Sequence, residues 1–489
     1  LAAATVGAVW SSVPPDLSPG AIAERFGPLS PALVVVADGH GASGVADGLR
    51  AAGVPSVTEW NDLIASDEVG DSPAGPAGPP FVEPPFDAPL WLLFPSGAGG
   101  PSTAVAHTHG GIVLEHLKTL VLHIDLGPDD RVLVAARTGT ALWHVGVSSL
   151  LTGAAVVLYD DGRDDGGDLG GATLWRLADA AQATCFAADA GHFEARAREG
   201  FRPIDMADLS PLRTVVSVGP PRQRFDAWVR DAVGPDVYPA EVVGSTSICS
   251  ALAVGLPTLP ARSGEIATRA FGCDLDIVDD GVQPVDGGYP GGGGADGELI
   301  VRTIMPSLPT GLPSTGPGGW RPGLRGGFTR SGGVIVTGRA AATIRMGDAR
   351  VSTSELYDVV EQVTGIAGSL AVDLPPRPTD DPVMGGSSGV AGVPSRTLTL
   401  FVALDSDALL TDDLADQIRA AVARALSPDL VPARIVQVEE IPLTRSGEKL
   451  EAAAGSLLRG QPLSLAVSLP DVANPEALLP FMRRSAPPD

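Results

Sequence analysis

Leu90-Trp-Leu-Leu-Phe94 runs without a gap into Pro95-Ser-Gly-Ala-Gly-Gly-Pro-Ser-Thr103, and this join of an apolar run to a Gly/Ser turn decides how the rest of the chain is read. Five apolar residues bounded by turn residues predict a buried strand. By itself a Gly-rich turn leaving such a strand reads first as plain loop, with a cradle of backbone N–H groups for phosphate as the alternative. Beyond it, Ile112 to His123 carries apolar residues at helical spacing, with Glu115 three residues before Lys118.

The pattern repeats on both sides. Upstream, Ala32-Leu-Val-Val-Val-Ala37 reads as a buried parallel strand, and the Gly/Pro/Asp-rich residues 66–90 read as a linker. Downstream, strands at Val132–Ala135, Ala154–Leu158 and Thr214–Ser217 alternate with helices at Leu174–Ala183 and Phe225–Val233. Such alternation predicts an α/β large domain with layered, mostly parallel sheets. The chain then becomes β-rich at Asp274–Val278, Glu298–Val301 and Gly333–Val336, with Gly291–Gly294 and residues 306–327 read as loops. From about residue 340 a smaller unit is expected. It reads helix (Ser354–Val363), strand (Ser369–Val372), a Pro/Gly/Ser insertion at 375–396, strand (Thr397–Ala403), helix (Leu414–Leu426) and strand (Arg434–Val438). That order predicts a small C-terminal α+β lid domain, so the expected boundaries are 1–338 and 339–489.

Composition narrows the function. The 489 residues carry a net charge of −25, against the clustered cations that a nucleic-acid surface needs. The same balance offers no polybasic attraction to lipid, and no apolar run is long enough to span a bilayer. No nucleic-acid or membrane partner is expected, and a cytoplasmic location is. Of 33 basic residues only Lys118 and Lys449 are lysines. Cys185, Cys249 and Cys273 have no paired spacing and read as buried small hydrophobes. His107 and His109 lack ligand-spaced neighbours, which favours packing roles over metal binding. The chain opens at Leu1 inside an Ala-rich stretch, which reads as a fragment or a mis-set start.

Several strings resemble the acetoacetyl-CoA synthetase family of adenylate-forming acyl-CoA synthetases. They are Gly7-Ala-Val-Trp-Ser-Ser12, Gly110-Gly-Ile-Val-Leu-Glu-His-Leu-Lys-Thr119, Pro257-Thr-Leu-Pro260 with Gly264-Glu-Ile266, Met305-Pro-Ser-Leu-Pro309, Ser352-Thr-Ser-Glu355 and Asn474-Pro-Glu-Ala-Leu478. They recur in collinear order along nearly the whole chain, starting well inside the family's large domain, so about its first third is expected to lie outside this sequence. The resemblance implies ligation of a short acid, acetoacetate first, to CoA through an acyl-adenylate. ATP, Mg²⁺ and CoA are the implied ligands and small molecules the implied partners.

Each family motif can be placed. The phosphate loop, roughly S-S-G-T-T-G-x-P-K, aligns with Ser96, Gly97, Gly99, Gly100 and Thr103, where Ala98 and Gly99 replace threonines and Thr103 replaces the lysine. The adenine-contacting G-x-P turn is Gly219-Pro220-Pro221. The segment that closes the ATP site and holds Mg²⁺ through an acid is Gly244-Ser245-Thr246-Ser247, with serine at the acidic position. The ribose motif W-R-x-G-D reads Trp320-Arg-Pro-Gly-Leu324, losing the carboxylate that accepts the ribose hydroxyls. At the hinge, Gly338-Arg339 stays, Ala340-Ala341 replaces S-D, and Arg350, implied to contact CoA, follows Asp348. The lid loop Pro442-Leu-Thr-Arg-Ser-Gly-Glu-Lys449 puts Glu448 where the family has its catalytic lysine, and Lys449 one residue later. By this reading Arg339, Lys449 and Thr246 are the candidate catalytic groups, and no residue is assigned to a metal. The resemblance therefore implies a ligase with impaired or lost activity, with a non-catalytic binding protein or a decayed gene fragment as alternatives.

Overall fold

The computed structural model describes residues 1–13, 17, 19–37, 44–65, 81–95, 104–159, 171–219, 224–278, 297–309, 319–339, 343–346, 349–374, 397–405, 409–426, 428–444, 447–469 and 472–482. Among the described residues up to 339 the strands are β1 (Trp10–Ser11), β2 (Val34–Val36), β3 (Val57–Glu59), β4 (Pro89–Leu93), β5 (Val105–Thr108), β6 (Arg131–Ala135), β7 (Ala155–Val157), β8 (Cys185–Asp189), β9 (Thr214–Val218), β10 (Tyr238–Ser245), β11 (Ser250–Val254), β12 (Thr268–Arg269), β13 (Leu275–Val278), β14 (Gly297–Val301), β15 (Leu324–Phe328) and β16 (Val334–Arg339). By contacts the chain forms two compact units, the larger from Leu1–Ser96, Ser102–Pro322 and Gly326–Val336, the smaller centred on Thr337–Asp489.

The large unit is organised by a seven-stranded sheet of order β12-β11-β10-β9-β8-β6-β7. β7, β6, β8, β9 and β10 run parallel, while β11 and β12 add antiparallel pairs at one edge. Strands such as Thr214–Val218 and Ser250–Val254 are buried nearly end to end, the pattern of a sheet covered on both faces. Helices Gly171–Ala180 and Ala190–Arg198 pack on it through Trp175, Phe186, Phe193 and Phe225, four aromatic rings meeting edge to face or tilted. A second sheet orders β1-β4-β5, β4 lying parallel to β1 and antiparallel to β5. β2 and β3 pair in parallel, and β13 to β16 follow one another in a four-stranded sheet.

Two local readings change. The helix expected at Ile112–His123 is α-helical over His109–Leu117 and widens to a π-helix over Lys118–His123. The end of the stretch 306–327, read as loop, belongs to β15; there a Cβ on Gly326 would stand 2.0 Å from the Ile335 carbonyl oxygen, so glycine permits the close strand approach.

The smaller unit adds β17 (Thr343–Met346), β18 (Ala349–Ser352), β19 (Ile366–Leu374), β20 (Thr397–Leu404) and β21 (Arg434–Val438). β17 and β18 pair antiparallel, and β19-β20-β21 form a three-stranded sheet. Alternation along β20 feeds two cores: Leu398, Leu400 and Val402 pack with Leu356, Ile418 and Val422, while Phe401 and Ala403 pack with Ala453, Leu457 and Phe481. The expected insertion at 375–396 lies outside the described residues. No helix among the described residues is long and apolar enough to cross a membrane.

Candidate functional site

Because β6, β8, β9 and β10 are parallel neighbours, their carboxyl ends share one edge of the sheet, the edge where open α/β sheets bind ligands. β6 leads to Thr140, whose hydroxyl caps helix Ala141–Ser148 by accepting from the Trp143 N–H at 3.3 Å. β9 leads into Gly219, at φ +141°, whose N–H donates to the Val242 carbonyl at 2.8 Å. Pro220 and Pro221 lie outside the described residues. β10 ends on Gly244 and Ser245, where a Cβ on Gly244 would sit 2.4 Å from the Ser250 carbonyl oxygen, so this tight return to β11 requires glycine. The turn is closed by Ile248 N–H to the Ser245 carbonyl (3.1 Å), Cys249 N–H to the Thr246 carbonyl (3.3 Å) and Ser247 N–H to the Ser245 hydroxyl (3.1 Å). Gly219 and Gly244–Ser247 thus sit at the ends of adjacent strands, paired up to Val218 and Val242.

Ser96, Gly97, Gly99, Gly100 and Thr103 lie outside the described residues, in the connection between β4 and β5. Both flanking strands are described, in antiparallel register with Leu93 opposite Val105. Thr108 ends β5 and caps the next helix, accepting from Gly111 N–H at 3.2 Å. A Cβ on Gly111 would meet the Pro306 carbonyl oxygen at 2.2 Å, which brings the Met305–Pro309 string against this helix.

The helix and its π-turn carry polar side chains whose burial and partners the sequence reading did not assign. Glu115, Thr119 and His123 fall at i, i+4 and i+8, and all three are buried, as is His116. Polar residues at that spacing in an apolar helix are the signal that marks them. The Glu115 carboxylate accepts from Ser250 Oγ at 2.6 Å and pairs with Lys118 Nζ at 2.5 Å. His116 Nε2 lies 2.7 Å from the Cys249 carbonyl and its Nδ1 lies 2.7 Å from Ser148 Oγ. His123 Nδ1 lies 3.2 Å from the Gly255 carbonyl, and its Nε2 accepts from Phe271 N–H at 3.1 Å.

Between this helix and the strands lies a buried aromatic cluster. His107 stands opposite Trp91 in the β4–β5 register, and the His144 ring is 4.5 Å from the Trp91 ring. His144 Nδ1 donates to the Thr140 carbonyl at 2.8 Å, leaving Nε2 without a protein partner, while His107 faces the backbone of Ser307 and Thr246 without a hydrogen bond of ordinary geometry. Burial lowers the pKa of His107, His116 and His144 to about 4. All three cysteines are buried, which raises Cys185 and Cys273 to about 12 and Cys249 further. His109 opens the helix, half-buried. Among the described residues no group of three or more His, Cys, Asp or Glu is placed to hold a metal ion.

In the smaller unit, Arg339 ends β16 and Arg350 lies in β18 opposite Arg345; their side chains are outside the described set. Lys449 forms a β-bridge with Leu443, with Gly447 at φ +79° between them. Its Nζ lies 2.5 Å from Glu361 Oε1 and 3.5 Å above the Tyr357 ring centre. Glu361 also accepts from the Ser369 hydroxyl and N–H, both at 2.9 Å. The Tyr357 hydroxyl donates to Glu451 at 3.1 Å, which accepts from Thr353 as well, and burial raises the Glu451 pKa.

The profile of the AMP-binding enzyme family matches residues 1–306. The chain belongs to this family. Within it, the chain is 31% identical over 515 residues to the acetoacetyl-coenzyme A synthetase of Rhizobium meliloti (strain 1021), covering 98% of this chain and 74% of the relative. The acetoacetyl-CoA synthetase of Gallus gallus is 27% identical over 524 residues, with coverages of 98% and 74%. Among solved structures, acetoacetyl-CoA synthetase from Streptomyces lividans superposes with a TM-score of 0.81 at 31% identity, covering 99% of this chain and 74% of that one. The mixed α/β architecture is that of adenylate-forming enzymes, and ATP-dependent acyl-CoA ligation through an adenylate is the chemistry of the family.

Proposed function

We propose that this chain descends from acetoacetate–CoA ligases and keeps their two-domain design, residues 1–338 as adenylation domain and 339–489 as lid, with an impaired adenylation step. One observation carries this reading. Lys449, the lysine nearest the family's lid-loop position, is held inside the lid by Glu361 and Tyr357, and its neighbour Glu448 brings a carboxylate to a loop whose task is to neutralise developing negative charge.

The remaining candidates fit the same reading. Gly219 with Pro220 and Pro221, Gly244–Ser247, and the loop of Ser96, Gly97, Gly99, Gly100 and Thr103 form the nucleotide-facing set. Arg339 is the retained cation of the hinge, and Arg350 is assigned to CoA. Thr246 is the retained hydroxyl of its turn. Ser245, Thr246 and Ser247 offer hydroxyls only, a poor donor set for a hard divalent cation, so no step is assigned to Mg²⁺. The intact Gly244–Cys249 turn favours a second reading, a protein that binds ATP without activating an acid.

Acetoacetate-dependent ATP–pyrophosphate exchange tests the first reading, with none above background as the expected result. Robust exchange that is abolished by Arg339→Ala removes it. Calorimetric titration with ATP then separates the second reading from the loss of all nucleotide binding.

A further inference from the structure

Cys249 ends the turn that begins at Gly244, and it is a fully buried non-glycine residue in left-handed backbone, φ +45°. A Cβ disfavours that conformation, so it persists only where neighbours over-determine it. Trp91, Leu93 and Ile112 pack around its side chain, and His116 holds its carbonyl. A carbonyl oxygen only accepts, so the 2.7 Å contact with Cys249 puts the imidazole proton on Nε2, and Nδ1 must then accept from Ser148 Oγ, also at 2.7 Å. Both ring nitrogens are satisfied and the tautomer is fixed. The helix and its π-turn grip the following segment twice more, Glu115 at Ser250 in β11 and His123 at Gly255 just after it.

We propose that His116 is a positioning residue for the nucleotide site: by donating to the Cys249 carbonyl it holds the left-handed end of the Gly244–Cys249 turn, and through it Thr246 and Ser247. The proposal rests on the reading of that turn as a nucleotide contact. His116 lies 133 residues from Cys249 in sequence and meets the turn through this carbonyl, so its effect is on where the turn sits.

The test follows amide exchange at Ile248 and Cys249, whose N–H groups close the turn, alongside MgATP affinity, in the whole chain. His116→Ala is expected to speed turn exchange, and to weaken MgATP binding, each by about tenfold. Adding Cys249→Gly should restore both, because glycine takes positive φ without strain. His116→Gln keeps an N–H donor and should stay near wild type. His123→Ala, on the same helix and strand, should lower stability and leave the turn's exchange unchanged, which separates positioning from general support. Unaltered turn exchange in folded His116→Ala, or no recovery with Cys249→Gly, overturns the proposal. Should the alanine variant fail to fold, His116→Gln decides: wild-type turn exchange supports the proposal and tenfold faster exchange overturns it. A loosened turn with unchanged MgATP affinity, or a wild-type chain that binds no MgATP, overturns the assignment of this turn to nucleotide and with it the proposed role, while the exchange data still report what His116 does to the backbone.

Discussion

In the large unit the buried polar side chains of one helix reach outward to a neighbouring strand. Glu115 holds the Ser250 hydroxyl of β11, and His116 and His123 hold the Cys249 and Gly255 carbonyls just beyond its two ends, so these groups fix the course of the chain along that strand. In the small unit Lys449 pairs with Glu361 over the Tyr357 ring, and the Tyr357 and Thr353 hydroxyls donate to Glu451, so these groups engage one another inside the unit. The contrast separates scaffold from chemistry. Groups of the large unit shape the backbone, whereas Lys449, which the proposed function sets beside the catalytic position, is occupied by a structural pair.

Acid should pull the two regions apart, and this is the largest effect expected. His107, His116 and His144 titrate near pH 4 when folded and near 6.5 when unfolded. Above pH 6.5 both states are neutral and the term vanishes. Below it the unfolded chain takes up protons that the folded state refuses, so stability falls down to about pH 4, by about 3 kcal/mol for each histidine. Glu451 has the opposite sign: its folded pKa is raised, so the lid gains stability as pH falls through that value. All seven tryptophans precede residue 321, so tryptophan fluorescence during urea unfolding reports the large unit alone, and amide exchange in β20 reports the lid. A large-unit midpoint that stays flat from pH 7 to 5 contradicts the comparison.

Breaking the lid pair comes next. Glu361→Ala strands a partly buried ammonium over Tyr357 and should lower lid stability by about 3 kcal/mol, while Lys449→Met with Glu361→Leu should recover most of it. A single-mutant loss below about 1 kcal/mol would mark the pair as surface-like and leave Lys449 available to the loop. The smallest effects sharpen the comparison by being equal. Thr108 and Thr411 each cap a helix by accepting one N–H at 3.2 Å, so either alanine variant should lower the stability of its own unit by about 1 kcal/mol in urea titration.

Much of this architecture is legible in the sequence where burial leaves a simple trace. Val132–Ala135, Thr214–Ser217, Thr397–Ala403 and Arg434–Val438 are runs rich in β-branched and other apolar residues, and each lies in a strand. β10 and β11 went unread because Tyr-Pro-Ala-Glu and the small residues of 250–253 carry no alternation, and their strand character comes from pairing with β9 and with each other. The site divides in the same way. The turns after β9 and β10 follow from local motifs, but the contacts of His116 with Cys249 and of Lys449 with Glu361 span 133 and 88 residues, and only the folded chain brings them together.

The most direct test of the account compares acetoacetate-dependent ATP–pyrophosphate exchange by the wild-type chain with that of a variant carrying Thr103→Lys, Ser247→Glu, Leu324→Asp and Glu448→Lys. The account predicts background exchange for the wild type and a gain of about 10²-fold or more for the variant, since one charge-stabilising group alone accounts for 10²–10³ in rate. Wild-type exchange well above background and dependent on Arg339, with no gain in the variant, would contradict it.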